Sequence, residues 1–283
     1  MSPSTNGWLP AGPNLDAVRD QYADPLLALS QAEMPAIVLR DAYDPAHCQG
    51  LMQRFINWGL IRDPLVKSAD GRTRIDIGTS LGNRGHDQEA FLRHAVDTHQ
   101  LFAHLFDGFD NPVQTMYDAL SALAAKTVGK AKEVKTAREP DGRRYGPAIF
   151  RVHYETHSYK PHIDHVTLRE KRFNYAVSRF EHQFAGILCL QNASQGGRKA
   201  QTILHQCVWT PDVQPHIENE TFPQYAAANN IGSYRVELAP GDLYFFNTRC
   251  IHEIPPLEGD DPRAVLAVFI GYSADDDEIY VWS

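Results

Sequence analysis

Beyond Pro140 the sequence changes character, and this change limits the fold more than any other feature. "PAIFRVHYE", "KPHIDHVT", "FAGILCLQN", "QTILHQCVW", "SYRVEL", "GDLYFFN" and "RAVLAVFIGY" are short runs rich in β-branched and aromatic residues, bounded by Gly, Pro, Asn and Asp. Such side chains suit a pleated, half-buried surface, and the bounding residues supply turns. Evenly spaced short strands with no helical run between them indicate an antiparallel barrel or a double-sheet jelly roll.

The preceding part reads differently. "DAVRDQYADPLLALSQA", "DPAHCQGLMQRFINWGL", "QEAFLRHAVDTHQLFAHLF" and "NPVQTMYDALSALAAKTVG" repeat apolar residues at helical spacing. Asp44-Pro45 looks like an N-cap followed by proline at the first helical position, and Asn111-Pro112 marks a break and a new start. "MPAIVLRDAY" carries a short strand, and Pro64 to Glu89 is a polar, glycine-punctuated connection. The fold class is therefore α+β, with N-terminal helices expected on the outer face of a β core. One domain is expected over residues 1–283: a loose arm at 1–14, mainly helical support at 15–139, and the β core at 140–283.

Composition removes several functional classes. A formal charge of −8 with scattered Lys and Arg shows no basic stripe for nucleic acid. No apolar run approaches the roughly 20 residues that cross a bilayer, and the first residues lack signal-peptide character. No membrane partner is expected, and a cytoplasmic location is. Cys48, Cys189, Cys207 and Cys250 form no CxxC pair, which argues against a zinc ribbon or a disulfide framework and for small buried hydrophobes.

The chemistry concentrates in "SYKPHIDHVT", where His162, Asp164 and His165 crowd together. On a strand, residues two apart share a face, so His162 and Asp164 project together while His165 faces away. A third ligand must come from elsewhere, and His252 in "GDLYFFNTRCIHEIPP" is the best candidate. His-x-Asp with one distant His is the sequence form of a facial triad that holds iron(II) and leaves positions open for cosubstrate and oxygen. Arg263 heads the apolar run "RAVLAVFIGY", where a guanidinium can grip a carboxylate in a bidentate fork.

These features resemble the iron(II)- and 2-oxoglutarate-dependent oxygenases with a double-stranded β-helix core. "HID", Gly196-Gly197 before a strand, "PGDLYFF", His252 and Arg263 carry the likeness from "YGPAIFRVHYE" to the C-terminus. Within that family the chain looks most similar to the stand-alone aliphatic halogenases of indole alkaloids, through "FRVHYE", "CVWTPDVQ" and "IYVWS". The resemblance implies that His162, Asp164 and His252 bind Fe(II), that Arg263 binds the far carboxylate of 2-oxoglutarate, and that O2 is the second cosubstrate. Those halogenases have glycine where this chain has Asp164. A carboxylate fills the position that glycine leaves to chloride, so hydroxylation of an unactivated C–H bond is expected instead.

Tyr154 stands where many relatives place a tyrosine that hydrogen-bonds 2-oxoglutarate, with Arg151 and His205 as rival donors. Val265 replaces a serine that some relatives use two residues after the arginine. His153, His157 and His182 read as surface or supporting residues. Substrate recognition is expected from the loop around Arg72, Arg74 and His86, and from the insertion "TPDVQPHIENETFPQYAAANNIGS". The substrate is expected to be a small molecule, a specialised metabolite or an amino-acid derivative. Desaturation, cyclisation or alcohol oxidation by the same chemistry is the alternative outcome. A non-catalytic, metal-binding cupin-like protein is the alternative of another class.

Overall fold

A computed structural model describes residues 7–63, 71–125, 132–193, 201–257, 259 and 261–283. The Gly196-Gly197 pair and residues 64–70 of the polar connection lie outside the described residues. The first part contains α1 (Leu15–Gln21), α2 (Pro25–Ser30), β1 (Ile37–Leu39), α3 (Pro45–Asn57), β2 (Arg74–Ile77), α4 (Leu81–Arg84), α5 (Gln88–Leu105), α6 (Pro112–Ala124) and β3 (Glu133–Thr136). Next come β4 (Ile149–His153), β5 (Tyr159–His162), β6 (His182–Gln191), β7 (Thr202–Val208), α7 (Gln214–Glu218) and α8 (Phe222–Ala228). The chain finishes with β8 (Ser233–Val236), β9 (Leu243–Asn247), β10 (Cys250–Ile254), β11 (Arg263–Tyr272) and β12 (Glu278–Trp282).

Local chemistry explains the helix starts. The Asp44 carboxylate accepts the Ala46 N–H at 2.7 Å, and the Asn111 side chain accepts from Val113 and Gln114. Each cap precedes a proline, whose missing N–H costs nothing at the first helical position. Asp24-Pro25 uses the same device to divide the first helical stretch into α1 and α2. Short elements not apparent in the sequence are β2 and α4, both inside the polar connection, together with the strands β3 and β12. The strand region is not free of helices either, since α7 and α8 form in the insertion between β7 and β8.

The strands make two sheets. In the larger, β1, β9, β6 and β11 run antiparallel side by side. The far edge of β11 is shared, with β4 along its first half and β12 along its second; β2 then extends β4, and β3 joins β12 in parallel. The smaller sheet is β5, β10, β7, β8, antiparallel throughout.

Strand alternation gives the large sheet two different faces. Phe150 and Val152 of β4 point to the helices, where Phe55, Phe102 and Phe106 surround Phe150 at centroid distances of 4.9, 5.6 and 6.1 Å. Each buried ring contributes roughly 2–3 kcal/mol by leaving water. On the other face, Ala185, Cys189, Tyr244 and Phe246 meet Leu204 and Val236 of the small sheet. Three cysteines are buried, all four are free, and burial pushes the Cys48, Cys189 and Cys250 thiols up to about 12. Among the described residues no helix is long and apolar enough to cross a membrane.

The "PGDLYFF" motif has a structural origin. Gly241 has φ +93°, and a Cβ there would stand 2.2 Å from the Tyr43 carbonyl oxygen. Beside it the buried Asp242 carboxylate accepts from Arg40 Nη1 at 2.6 Å and from the backbone N–H groups of Asp41 and Ala239 at 3.1 and 2.8 Å. This joins the end of β1 to the start of β9. Asp242→Ala leaves two amides without their acceptor and Arg40 without its counter-charge, and should destabilise the fold by about 3 kcal/mol in chemical denaturation.

Candidate active site

The small sheet sets the centre of the site. β5 and β10 run antiparallel with His162 and His252 as register partners, which places their rings 4.2 Å apart between centroids. Strand β5 ends at His162, but the chain stays extended because Asp164 N–H donates to the Thr248 carbonyl and the Thr248 hydroxyl donates back to the Asp164 carbonyl. Asp164 is thereby held against the β9–β10 turn. Its Oδ2 lies 3.8 Å from His162 Nε2 and 3.4 Å from His252 Nε2.

Both imidazoles are prepared in the same way. His162 Nδ1 donates to the Lys160 carbonyl at 2.7 Å, and His252 Nδ1 donates to the Cys250 carbonyl at 2.9 Å. In neutral rings this leaves each Nε2 with a lone pair aimed at the carboxylate, the arrangement that metal-binding histidines use. Burial, then the neighbouring His252, pushes His162 down to about 4, so its ring is neutral at ordinary pH. Burial alone would raise the Asp164 carboxyl; its close pairing with His252, then its neighbours His162 and Arg169, hold it far below the usual carboxylate range.

The donor atoms of His162, Asp164 and His252 all lie within 4.8 Å of one another. Ligand bonds of roughly 2 Å to a common ion need donors about 3 Å apart, so small side-chain adjustments suffice. Two imidazole nitrogens and a carboxylate suit iron(II) with open positions remaining. Asp164 Oδ1 is also occupied: Arg169 Nη1 donates to it at 2.6 Å and to the Ile163 carbonyl at 2.9 Å. The guanidinium thus fixes which carboxylate oxygen faces the histidines.

A cavity of about 280 Å³ opens between the sheets in front of this triad. Val265, Ala267, Ile187 and Phe246 form apolar wall, and Arg263 lies at the head of β11. Arg263 is 2% exposed, its Nη1 donates to His153 Nδ1 at 3.1 Å, and its Nε has no partner. Among the described residues no carboxylate pairs with it. A buried guanidinium in apolar surroundings is costly until an anion arrives, so Arg263 offers an anion-binding group on the same cavity that the triad borders.

Tyr154 does not reach this space, which corrects its expected role. Arg151 and His153 of β4 face the cavity, so alternation turns Tyr154 to the helical side, where its hydroxyl donates to the Arg62 carbonyl at 3.4 Å under the Arg62 guanidinium. His205 also points away, with Nε2 at 3.1 Å from Glu253 and its ring against Phe222. Arg151 and Arg74 line the cavity; Arg72 and His86 do not. His165 borders it but serves its own turn, its Nδ1 accepting the Thr167 and Leu168 amides.

The insertion does not border the cavity, against the expectation that it recognises substrate. Val213, Phe222 and Ala226 pack with Ile163 and Ile251 on the outer face of the small sheet, and no insertion residue lines the cavity. Further wall comes from Ser80, Leu81, Gly82 and Asn83 and from Val166, Arg169, Glu170 and Arg172. Arg172 Nη2 donates to the Gly82 carbonyl at 2.9 Å and ties these two segments together. Arg169 and Tyr159 are site residues that sequence reasoning missed; Tyr159, at the start of β5, is three residues before His162 on the same short run.

Comparison with known proteins bears on the family and the fold. Residues 14–283 match the family described as carrier-protein-independent halogenase WelO5. No curated protein matches the sequence significantly. A solved N-substituted L-amino acid dioxygenase from Burkholderia ambifaria AMMD superposes with TM-score 0.58 at 17% identity, covering 92% of this chain and 91% of that one. The same dioxygenase in complex with α-KG gives 0.57 at 16% identity over the same shares. EctD from S. alaskensis gives 0.47 at 14% identity, covering 86% of this chain and 74% of that one. The likeness to the dioxygenase concerns the fold, whereas the family match spans nearly the whole sequence and sets aside a non-catalytic role. The chain belongs to the carrier-protein-independent halogenase WelO5 family, and with it to the iron(II)- and 2-oxoglutarate-dependent oxygenases that its motifs resemble.

Proposed function

We propose that this member of a halogenase family is a hydroxylase, which inserts oxygen into an unactivated C–H bond of a small molecule. The observation that carries the reading is Asp164: a carboxylate stands at the third protein position, with Oδ2 facing both histidines and Oδ1 held by Arg169. Halide in place of this carboxylate would require the position to be vacant. The two facing sheets are read as a double-stranded β-helix, the fold in which such triads sit at one end of the sandwich.

Iron(II) at His162, Asp164 and His252, with 2-oxoglutarate and O2, supplies the oxidising power for the C–H bond. The protein's own groups bind and orient. Arg263 grips the far carboxylate of 2-oxoglutarate, and its burial removes the competing water that would weaken the grip. Phe246, Val265, Ala267 and Phe269 keep the space dry. The substrate enters beside Ser80–Asn83 and Val166–Arg172, and a specialised metabolite or amino-acid derivative suits the cavity's size and mixed wall. Where the substrate sits relative to the triad decides between hydroxylation and the alternatives of desaturation, cyclisation or alcohol oxidation.

Adding iron(II) and 2-oxoglutarate without oxygen should give a visible metal-to-ligand charge-transfer band; bound iron without that band refutes the 2-oxoglutarate reading. After oxygen is admitted with candidate substrate pools, succinate should form with a product heavier by one oxygen atom. A chlorine adduct in the presence of chloride would overturn the role of Asp164. Arg169→Met should weaken iron binding by about 10- to 100-fold while thermal stability stays near wild type, as measured by metal titration and calorimetry.

A further inference from the structure

The proposed reaction leaves a chain of polar contacts behind Arg263 unused. Arg263 Nη1 donates to His153 Nδ1 at 3.1 Å. A guanidinium keeps its protons at every pH that the protein meets, so His153 must offer the lone pair on Nδ1. The ring is then neutral and carries its one proton on Nε2. That nitrogen lies 3.3 Å from the Tyr159 hydroxyl oxygen and donates to it. Arg74 Nη1 donates to the same oxygen at 2.9 Å.

The far end of this chain is fixed as well. Arg74 Nε donates to Asp76 Oδ1 at 2.7 Å, its Nη2 meets Asp76 Oδ2, and Asn83 Nδ2 donates to Oδ2 at 3.2 Å. Two incoming donors fill both lone pairs of the Tyr159 oxygen. Its own O–H is left to point elsewhere, and Tyr159 lines the cavity. The His157 ring stacks on His153 at 4.4 Å with an interplanar angle of 10°, and Thr73 pairs with His157 Nδ1 at 3.0 Å. Burial first, then the cations Arg263, Arg151 and Arg74 with His157, keep His153 well below the ordinary histidine range. Neutrality is therefore stable as well as required.

We propose that His153 is the positioning residue of the cosubstrate site, because its ring fixes which edge of the Arg263 guanidinium faces the cavity and, through Tyr159, aims a hydroxyl donor into the same space. This rests on the assignment of Arg263 to the far carboxylate of 2-oxoglutarate. A free arginine side chain loses rotamer entropy when it grips a ligand, and an anchor made before binding removes much of that loss. His153 does this without bringing a negative charge that would compete with the incoming carboxylate. An aspartate or glutamate in its place would neutralise Arg263 and repel the dicarboxylate.

The test compares 2-oxoglutarate with 2-oxopentanoate, the same 2-oxo acid without the far carboxylate. Both are titrated anaerobically into the iron(II) protein and followed through the charge-transfer band. In His153→Phe, which keeps a ring stacked on His157, 2-oxoglutarate should bind about tenfold or more weakly, while 2-oxopentanoate should stay within about twofold of wild type. Equal weakening of both acids would mean a packing role only and overturn the proposal, as would unchanged 2-oxoglutarate affinity. If His153→Phe does not fold, Tyr159→Phe removes the acceptor of the Nε2–H and should show a smaller loss confined to 2-oxoglutarate; an equal loss for both acids overturns the proposal there too. A wild-type protein that binds iron and gives no band with 2-oxoglutarate would refute the cosubstrate reading itself, a result separate from any effect of His153.

Discussion

The register of β10 against β5 is the constraint on which the rest of the site depends. Opposing His252 to His162 puts both imidazoles on the inner face of the small sheet, and the alternation that does so sends Ile251 and Ile163 to the outer face. There they pack with Val213, Phe222 and Ala226 of the insertion. A slip of one residue would turn His252 into the apolar outer cluster and Glu253 into the cavity, so the outer cluster penalises any register that dismantles the metal site. The insertion therefore packs on the outer face of the very sheet whose register carries the metal ligands.

The same two-residue period explains what was legible in the sequence and what was not. His162, Asp164 and His252 could be gathered because ligands on facing strands must share a face, and the short bounded runs showed where those strands were. Arg263 could be singled out because a cation at the head of ten apolar-rich residues has no ordinary reason to be buried. The expectation for Tyr154 failed against the rule that had served the triad: if Arg151 faces the cavity, the next inward residues are Ile149 and His153, and Tyr154 must face the helices. Distance in sequence from the HxD motif was a weaker guide than parity along β4.

Other features left no periodic trace. Arg169 lies five residues beyond Asp164 in a turn, where neither helical nor strand spacing ties a side chain to a partner. β2 is four residues long with alternating charged and apolar positions, and a run that short inside a glycine-punctuated stretch resembles the loop around it. α7 and α8 carry prolines and polar residues, which read as loop, although the few apolar side chains among them are the ones that pack. In each case the missing information was tertiary: the element is stabilised by what it touches and not by its own propensity.

Charge inside the cavity links these pieces to the reaction. Arg74, Arg169 and Arg172 each have a carboxylate partner, in Asp76, in Asp164 and Glu170, and in Glu170. Arg263 and Arg151 have none among the described residues, although both line the same space and each has an unpartnered buried Nε. Uncompensated cations in a low-dielectric setting cost several kcal/mol apiece, a cost that folding alone does not require. Bound iron adds further positive charge, so the anions that balance the site must come largely from ligands. A dianionic cosubstrate would answer that need, and on the proposed reading Arg263, held open by a neutral histidine instead of being quenched by a carboxylate, receives it.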